Sequence, residues 1–378
     1  MIVASICIPV LAPAEALAGN VLQMLASERT DFEILIIDFT GCNFVERSKL
    51  AEAARDTRLR IVAAGGKANT GAMIEASAAW NEMAAQARGE WICFIDAADY
   101  ADPEICTVID AMMKRVPDAD ALSWGRARYV PPALRQGSEI ARIPTGSRMI
   151  LPEQKDMMRN QFYWDSAGEM PECHFGVWHG AVRRGLLERI REAFSDVWFE
   201  QAAPDIDNIC KTVMLARRMV FWERPLSVQT AAMVPVVRAD PAGQPFGDFP
   251  FCATTGAVAS AALAIEVFKR RYGIELEGWE DNFIKACARD CETAPSGEQF
   301  QAGKSAYANA IMAWRGKRAL AAFRPEFKRK PKLPRFQGVR EQHLYFDMAM
   351  DHTQTAADFY RLIDAMLFPV DLLDDKLA

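Results

Sequence analysis

The stretch at residues 89–104, GEWICFIDAADYADPE, joins a run of apolar residues to a group of acids. Residues 91–95 are apolar without interruption, which is typical of a short strand buried on both faces. Asp96 and Asp99 follow directly and are separated by two alanines. A buried strand that ends in carboxylates predicts either a turn capped by the acids or a binding site at the strand's carboxyl end.

The rest of the first hundred residues repeats this pattern, because short apolar runs alternate with segments of helical spacing. The predicted strands are residues 2–8, 31–38, 58–63 and 91–95, and the predicted helices are residues 15–27 and 71–88. Strands that alternate with helices indicate an α/β fold, in which a mostly parallel sheet is covered on both faces. Ligands of such sheets bind beyond the carboxyl ends of the strands.

The composition is that of an ordinary globular protein, since 51% of the 378 residues are apolar and 25% are charged. The net charge of -6 argues against a nucleic-acid partner. The nine cysteines show no C-x-x-C spacing, which favours reduced thiols and a cytoplasmic protein. Pro9 and Pro13 interrupt the apolar amino terminus, which also lacks a preceding Lys or Arg, so a strand is favoured there over a secretion signal.

The predicted strand ends carry Pro9, Asp38 and the pair Asp96 and Asp99. Each acid alone is explained most simply as the cap of a following turn or helix. Three strand ends that converge on one edge favour a ligand site instead. No G-x-G-x-x-G follows a strand, so a nicotinamide dehydrogenase is unsupported, and GGKANTG at residues 65–71 lacks the spacing of a phosphate-binding loop.

Five segments in this order resemble the family 2 glycosyltransferases, which have a GT-A fold. They are SICIPV (residues 5–10), EILIIDFTGCN (33–43), NTGAMIEASAAWNEMAAQARGEWICFIDAADYADPE (69–104), PDADALSWGRARYVPP (117–132) and a region at 173–228 that contains FGVWHGAVRR and PDIDNICK. The resemblance covers about residues 1–230. Each motif alone is loose, whereas their order and spacing are fairly specific.

The resemblance implies transfer of a sugar from a nucleotide-sugar, first of all a UDP-sugar, to a saccharide or lipid-linked acceptor, with inversion. It also implies Mn²⁺ or Mg²⁺ as cofactor. The residues that match the nucleotide-sugar site are Pro9, Val10, Asp38, Asn69, Gly71, Asn81, Asp96 and Ala97. Asp99 matches the acid that coordinates the metal, and Asp205 matches the general base.

These assignments are chemically reasonable. A hard divalent ion neutralises the charge of a departing nucleoside diphosphate, and one or two carboxylates suffice because phosphates and water complete its shell. A carboxylate base takes the proton of the attacking hydroxyl. From pattern alone, however, Asp205 and Asp207 are both explained as helix caps, and only the resemblance favours Asp205.

Two departures from the family pattern support an alternative function. Ala98 replaces the central acid of the strand-end motif, and Phe39 replaces the second acid after the second strand. The alternative is a non-catalytic protein of the same fold that binds nucleotides or sugars. A nucleotidyltransferase is disfavoured, because VLAPAEALAG at residues 10–19 lacks the basic residue of an activating loop.

Trp178 and His179 are further candidates, for contact with the acceptor or the phosphates. A tryptophan can stack on a sugar ring, and a histidine can bind phosphate or metal. A buried core tryptophan and a structurally satisfied histidine are the competing interpretations. The resemblance does not decide between them.

The predicted domains are a glycosyltransferase domain at residues 1–230, a connection at 231–250 and a helical region at 251–378. Helices are predicted at 253–272, 279–291, 303–323 and 340–367. The basic stretch at 315–340 is interpreted as a solvated linker, with contact to an anionic membrane at the inner face as the alternative. Whether the helical region forms a homodimer is left open by the sequence. The sequence contains no run of about 18 apolar residues, so no transmembrane helix is predicted.

Overall fold

The computed structural model describes residues 2–46, 50–64, 76–135, 137–165, 175–200, 203–231, 246–327 and 336–370. The strands are β1 (Ala4–Val10), β2 (Phe32–Asp38), β3 (Leu59–Ala63), β4 (Trp91–Phe94), β5 (Tyr100–Ala101), β6 (Ala121–Tyr129), β7 (Ile140–Pro144), β8 (Met149–Ile150), β9 (Gly180–Arg183), β10 (Met219–Thr230), β11 (Gly338–Arg340) and β12 (His343–Asp347).

The helices in these ranges are α1 (Leu17–Leu25), α2 (Leu50–Ala53), α3 (Ala76–Gln86), α4 (Ile105–Arg115), α5 (Gln154–Tyr163), α6 (Arg184–Ala193), α7 (Pro204–Leu215), α8 (Ala257–Arg271), α9 (Glu280–Glu292), α10 (Gly297–Leu320) and α11 (Ala356–Met366). Short 3₁₀ turns lie at Pro132–Leu134 and Met350–His352.

The main sheet has nine strands in the described part of the chain, in the order β3-β2-β1-β4-β9-β6-β10-β5, with β8 paired to β10. Strands β3, β2, β1 and β4 are parallel, as are β6 and β10. Strand β9 lies antiparallel between β4 and β6. The predicted α/β fold class, a mixed and mostly parallel sheet followed by carboxyl-terminal helices, is confirmed.

The four predicted strands are found, but the first begins later than expected. The prediction placed Pro9 after the strand, whereas Pro9 lies inside β1 opposite Ile37 of β2. The pairing of β1 with β4 ends at Cys7, whose carbonyl accepts from Ile95. Cys7 and Pro9 are two residues apart, so their backbone groups point toward the same neighbouring strand, β4. Because the pairing with β4 ends at Cys7, that pairing does not need the N–H that Pro9 lacks.

The continuous apolar runs are explained by packing on both faces of the sheet. In β2, Leu35 and Ile37 pack on one face of the sheet with α3 and with α8 to α10. Ile34 and Ile36 pack on the other face with α1, α4 and α11. Alternate side chains of a strand face opposite sides, so the central residues of a strand covered on both faces are apolar without alternation.

The carboxyl-terminal region is helical in α8 to α10, as predicted, but the last predicted helix is wrong in its first half. The segment 338–347, GVREQHLYFD, forms β11 and β12, and β12 pairs with β7 in a separate three-stranded sheet. Leu344 and Phe346 are buried and their neighbours in β12 are less so, which is the period-two pattern of a strand. Helix α11 begins only after Thr355, whose side chain forms a capping box with Asp358.

The predicted boundaries at residues 230 and 250 stay predictions, and most of that connection lies outside the described residues. Within the described ranges, no helix combines the length and the apolar character needed to cross a membrane.

Candidate functional site

The candidate site lies at the carboxyl ends of the parallel strands. Val10 and Asp38 end their strands opposite each other in the β1–β2 register. Asp96 and Ala97 follow β4, which pairs with β1 on the other side. The structure therefore brings these predicted residues to one edge of the sheet, where α/β proteins bind their ligands. Asn69 and Gly71 lie outside the described residues.

Asp38 stabilises the loop that follows β2. Its Oδ1 accepts hydrogen bonds from Thr40 N at 2.9 Å and Thr40 Oγ1 at 2.6 Å, and its Oδ2 accepts from Val45 N at 2.9 Å. Phe39, which replaces an acid of the family pattern, is buried. The loop is thus fixed by the one acid that this chain retains.

Asp99 is directed into the protein. Its side chain is 2% exposed. Oδ2 accepts from Asp96 N at 3.0 Å and contacts His179 Nε2 at 2.9 Å, and Oδ1 accepts from Thr230 N at 2.8 Å. Both carboxylate oxygens are therefore used inside the fold. This inward, 2% exposed position does not fit the predicted role of Asp99 as a direct metal ligand, since an ion and the phosphates that complete its shell need access to the carboxylate.

Asp96 differs from Asp99 in its environment. The side chain of Asp96 is exposed at the strand end, while the neighbouring Ala97 is buried. No group of three or more His, Cys, Asp or Glu side chains among the described residues is arranged to hold a metal ion. Asp96 is therefore the carboxylate of the predicted strand-end pair that solvent and a ligand can reach.

His179 belongs to a buried chain of polar side chains. Its Nδ1 lies 2.8 Å from Ser227 Oγ, which accepts from Trp124 Nε1 at 2.8 Å. The tautomer in which Nε2–H donates to Asp99 and Nδ1 accepts from the Ser227 hydroxyl pairs every member of this group of side chains. His179 is 3% exposed and has a positive φ of 46°. Sequence analysis missed Ser227 and Trp124, since a serine and a tryptophan in a strand give no signal.

Trp178 lies in an aromatic cluster rather than on the surface. It is 8% exposed and stacks on Trp80 of α3 at a centroid distance of 5.6 Å. Trp80 also contacts Phe94 of β4 at 4.7 Å and Phe199 at 5.3 Å. The cluster thus joins the end of β4 to the segment that leads into α7.

Asn81 joins α3 to the segment before α7 by hydrogen bonds. Its Nδ2 donates to Ser77 O at 2.8 Å and to Phe199 O at 2.6 Å. Its Oδ1 accepts from Trp198 N at 3.1 Å and from Phe199 N at 3.2 Å. All the hydrogen-bonding capacity of the amide is used within the protein. Asn81, which was predicted to bind the nucleotide-sugar, therefore stabilises the segment before α7.

Asp205 lies in the first turn of α7, directly after Pro204, as the sequence predicts. Its side chain is partly exposed, whereas Asp207 is fully buried and pairs with Lys211 Nζ at 2.8 Å. Burial raises the pKa of Asp207 despite the attraction of Lys211. Of the two acids, Asp205 is the more exposed, although its Oδ1 is buried.

Lys211 is fully buried and organises the segment before α7. In addition to Asp207, it contacts Glu200 Oε2 at 3.3 Å and Trp198 O at 3.3 Å. Glu200 also pairs with Arg271 of α8 at 3.2 Å. This ion cluster fixes the start of α7, and with it Asp205, against the carboxyl-terminal helices.

Comparison with known proteins finds similar structures but no sequence match. No family model matches the chain, and no curated protein does. The crystal structure of S. aureus TarS 1-349 in complex with UDP-GlcNAc is similar, with 13% identity, a TM-score of 0.48, and coverage of 85% of this chain and 84% of that one. The complex of the same fragment with UDP has 15% identity, a TM-score of 0.43, and coverage of 83% and 89%.

A crystal structure of a mycobacterial protein is also similar, with 13% identity, a TM-score of 0.42, and coverage of 73% and 76%. At such identities and scores, these similarities do not decide the function. The functional assignment depends on the residues of this chain.

Proposed function

We propose that the protein is an inverting glycosyltransferase that moves a sugar from a nucleotide-sugar, first of all a UDP-sugar, to a saccharide or lipid-linked acceptor. The observation that carries the proposal is the placement of Asp96 and Asp205. Exposed Asp96 follows β4, and partly exposed Asp205 begins α7. The aromatic cluster of Trp80, Phe94 and Phe199 links the two elements, because Phe94 precedes Asp96 at the end of β4 and Phe199 lies in the segment before α7.

In this mechanism, Asp205 is the general base. Its carboxylate accepts the proton of the acceptor hydroxyl as the hydroxyl oxygen attacks the anomeric carbon, and the bond from that carbon to the diphosphate breaks. A nearby negative charge also stabilises the positive charge that develops on the sugar. The ion pair of Asp207 with Lys211 keeps the helix start in place, so only one of the two acids meets the acceptor.

The donor is proposed to bind at the edge formed by Val10, Asp38 and Asp96. The resemblance implies Mn²⁺ or Mg²⁺ on the diphosphate, but the inward orientation of Asp99 does not fit a direct ligand. We therefore derive no step through a metal. The proposed task of Asp99 is to fix the turn that presents Asp96.

The alternative function is a non-catalytic protein that binds nucleotides or sugars. The replacement of acids by Phe39 and Ala98, together with the burial of Asp99, favours this alternative, because catalysis loses carboxylates at the strand ends. The exposure of Asp96 and Asp205 favours the enzyme. The two functions differ in turnover but not in binding, so a catalytic assay separates them.

The proposed base is tested with Asp205→Asn. Release of nucleoside diphosphate is measured with a panel of nucleotide-sugars and saccharide acceptors. Asp205→Asn should lower kcat by about 10²–10⁴-fold, because the amide cannot take a proton. The affinity for the donor should stay within twofold of the wild-type value.

Asp196→Asn is the matched control, because the Asp196 side chain is 92% exposed, and it should leave kcat unchanged. Turnover by Asp205→Asn at the wild-type rate would exclude Asp205 as the base. Donor binding by the wild-type protein without turnover on any acceptor would favour the binding protein.

A further inference from the structure

Asn20 connects the turn after β4 to the carboxyl-terminal helix. It lies on α1 and is 1% exposed. Its Nδ2 donates to the carbonyls of Ala98 and Asp99, each at 3.0 Å. Its Oδ1 accepts from Ala357 N, in the first turn of α11, at 3.0 Å. One buried amide therefore joins residue 20, the turn at 96–99 and a helix more than 330 residues away.

Helix α11 is itself fixed to the main sheet. The Tyr360 hydroxyl donates to Pro225 O of β10 at 3.2 Å, and its ring lies 5.1 Å from that of Tyr100. Arg224, which is 1% exposed, pairs with Asp364 at 2.5 Å and donates to Phe368 O. The helix thus cannot move away from the turn without breaking buried polar contacts, which is costly.

The opposite side of the turn is held by the end of β10. Thr230 Oγ1 donates to Ala98 O at 2.8 Å, and Thr230 N donates to Asp99 Oδ1 at 2.8 Å. The turn therefore lies between two sets of hydrogen bonds, one from Asn20 and one from Thr230. The exposed side chain of Asp96 begins this turn.

The amide of Asn20 has no other task in the described structure. An asparagine on the buried face of a helix is costly unless its groups are paired, and an apolar residue is the usual occupant of such a position. Leu17, Val21 and Met24, which surround Asn20 in α1, are apolar and buried. Asn20, the polar residue among them, lies where the turn at 96–99 meets α11.

We propose that Asn20 and α11 are positioning elements that set the geometry of the turn at 96–99 for donor binding. This inference rests on the proposed function, because the turn carries Asp96. It gives the carboxyl-terminal segment an indirect, positioning part in the site. The group that meets the donor is Asp96, and Asn20 acts on it only through the backbone of Ala98 and Asp99.

The test compares Asn20→Ala with Ser5→Ala in the full chain. Ser5 is also fully buried, and its Oγ accepts from Gly89 N at 2.7 Å and donates to Glu33 Oε1 at 2.6 Å. It lies near the amino ends of β1 and β4, at the opposite edge of the sheet. Ser5→Ala thus removes comparable buried hydrogen bonds away from the site.

Two quantities are measured in each variant: the affinity for UDP by calorimetry, and hydrogen exchange of the peptide that covers residues 95–103. Asn20→Ala should weaken UDP binding at least tenfold and speed exchange at 95–103, with exchange in β2 unchanged. Ser5→Ala should change UDP affinity less than twofold. If Asn20→Ala does not fold, Thr355→Ala weakens the same helix start by removing its cap and should give a smaller effect of the same kind.

Unchanged exchange at 95–103 in Asn20→Ala would overturn the proposal. So would faster exchange with wild-type UDP affinity, or an equal loss of affinity in Ser5→Ala. If the wild-type protein bound none of UDP, GDP and dTDP, the proposed function would fail. The exchange result alone would then decide whether Asn20 holds the turn.

Discussion

At the scale of single residues, the carboxylates of Asp96 and Asp99 have different environments although only two alanines separate them. Asp99 accepts hydrogen bonds from Asp96 N and Thr230 N and contacts His179. Asp96 is exposed. The sequence indicates where the acids lie on the sheet, but it cannot show which one is turned inward, because His179 and Thr230 come from distant parts of the chain.

The internal role of Asp99 is testable by Asp99→Ala. The change leaves the N–H groups of Asp96 and Thr230 and the His179 ring without their acceptor. We expect a loss of roughly 2–4 kcal/mol in the free energy of unfolding, because unpaired buried polar groups cost about 1–3 kcal/mol each. Urea unfolding measures this loss.

Asp96→Ala should lower the free energy of unfolding clearly less than Asp99→Ala, because an interaction at an exposed position contributes little. A comparable result for Asp99→Ala would argue against the buried network. It would restore Asp99 as a candidate ligand.

Asp102, three residues beyond Asp99, gives the protein a predicted pH dependence. Burial raises the pKa of Asp102 from 3.8 to about 6. The folded state therefore binds the proton more tightly than the unfolded state does. The stabilisation from the protonated form is fully present below about pH 4 and is lost as the pH rises to about 6.

The measurement is urea unfolding of wild-type protein and Asp102→Asn between pH 4 and pH 7.5. As the pH rises, the wild-type protein should lose stability while Asp102→Asn, which is always neutral at this position, does not. The difference in the free energy of unfolding, Asp102→Asn minus wild type, should therefore increase by up to about 3 kcal/mol and level off above about pH 7. A difference that does not vary with pH would show that Asp102 titrates normally.

At the scale of elements, prediction succeeded where the pattern was local. Strand β4 follows from five consecutive apolar residues, and α8 to α10 follow from helical spacing. The prediction of one helix over 340–367 failed because β11 and β12 depend on pairing with β7, about 200 residues earlier. The start of α11 had a local signal, the capping box of Thr355 and Asp358, which the sequence analysis overlooked.

The start of α7 depends on a buried ion cluster, and this dependence can be measured. Lys211→Met leaves Asp207 without its cation in the interior, while Glu200 keeps its pair with Arg271. Breaking a buried pair from one side costs about 3–5 kcal/mol, and removing the second charge recovers part of that cost. Lys211→Met should therefore be strongly destabilised, and Lys211→Met with Asp207→Asn less so.

Chemical unfolding of the single and double variants provides the comparison. A loss below about 1 kcal/mol for Lys211→Met would mean that the cluster does not stabilise this helix start. Equal stability of the single and double variants would mean that Asp207 and Lys211 are not coupled.

At the scale of the whole molecule, the parallel strands and the carboxyl-terminal segment jointly form the candidate site. Strands β1, β2 and β4 bring Val10, Asp38 and Asp96 to one edge. Helix α11 contacts the turn after β4 through Asn20. The sequence predicted the edge, because parallel strands end together, but it did not indicate that α11 contacts the site, since that contact joins residues 20 and 357.

The central claim is that this edge binds the nucleoside diphosphate of a sugar donor, and calorimetric titration of UDP tests it most directly. The titration is run with and without Mn²⁺ on the wild-type protein, on Asp96→Ala, and on Asp118→Ala as a control with a 57% exposed carboxylate before β6. We predict saturable UDP binding that Asp96→Ala weakens at least tenfold, because the carboxylate is proposed to accept hydrogen bonds from the nucleoside and not to face the diphosphate, and that Asp118→Ala leaves unchanged. The account would be contradicted if UDP, GDP and dTDP all failed to bind the wild-type protein, with Mn²⁺ and without it.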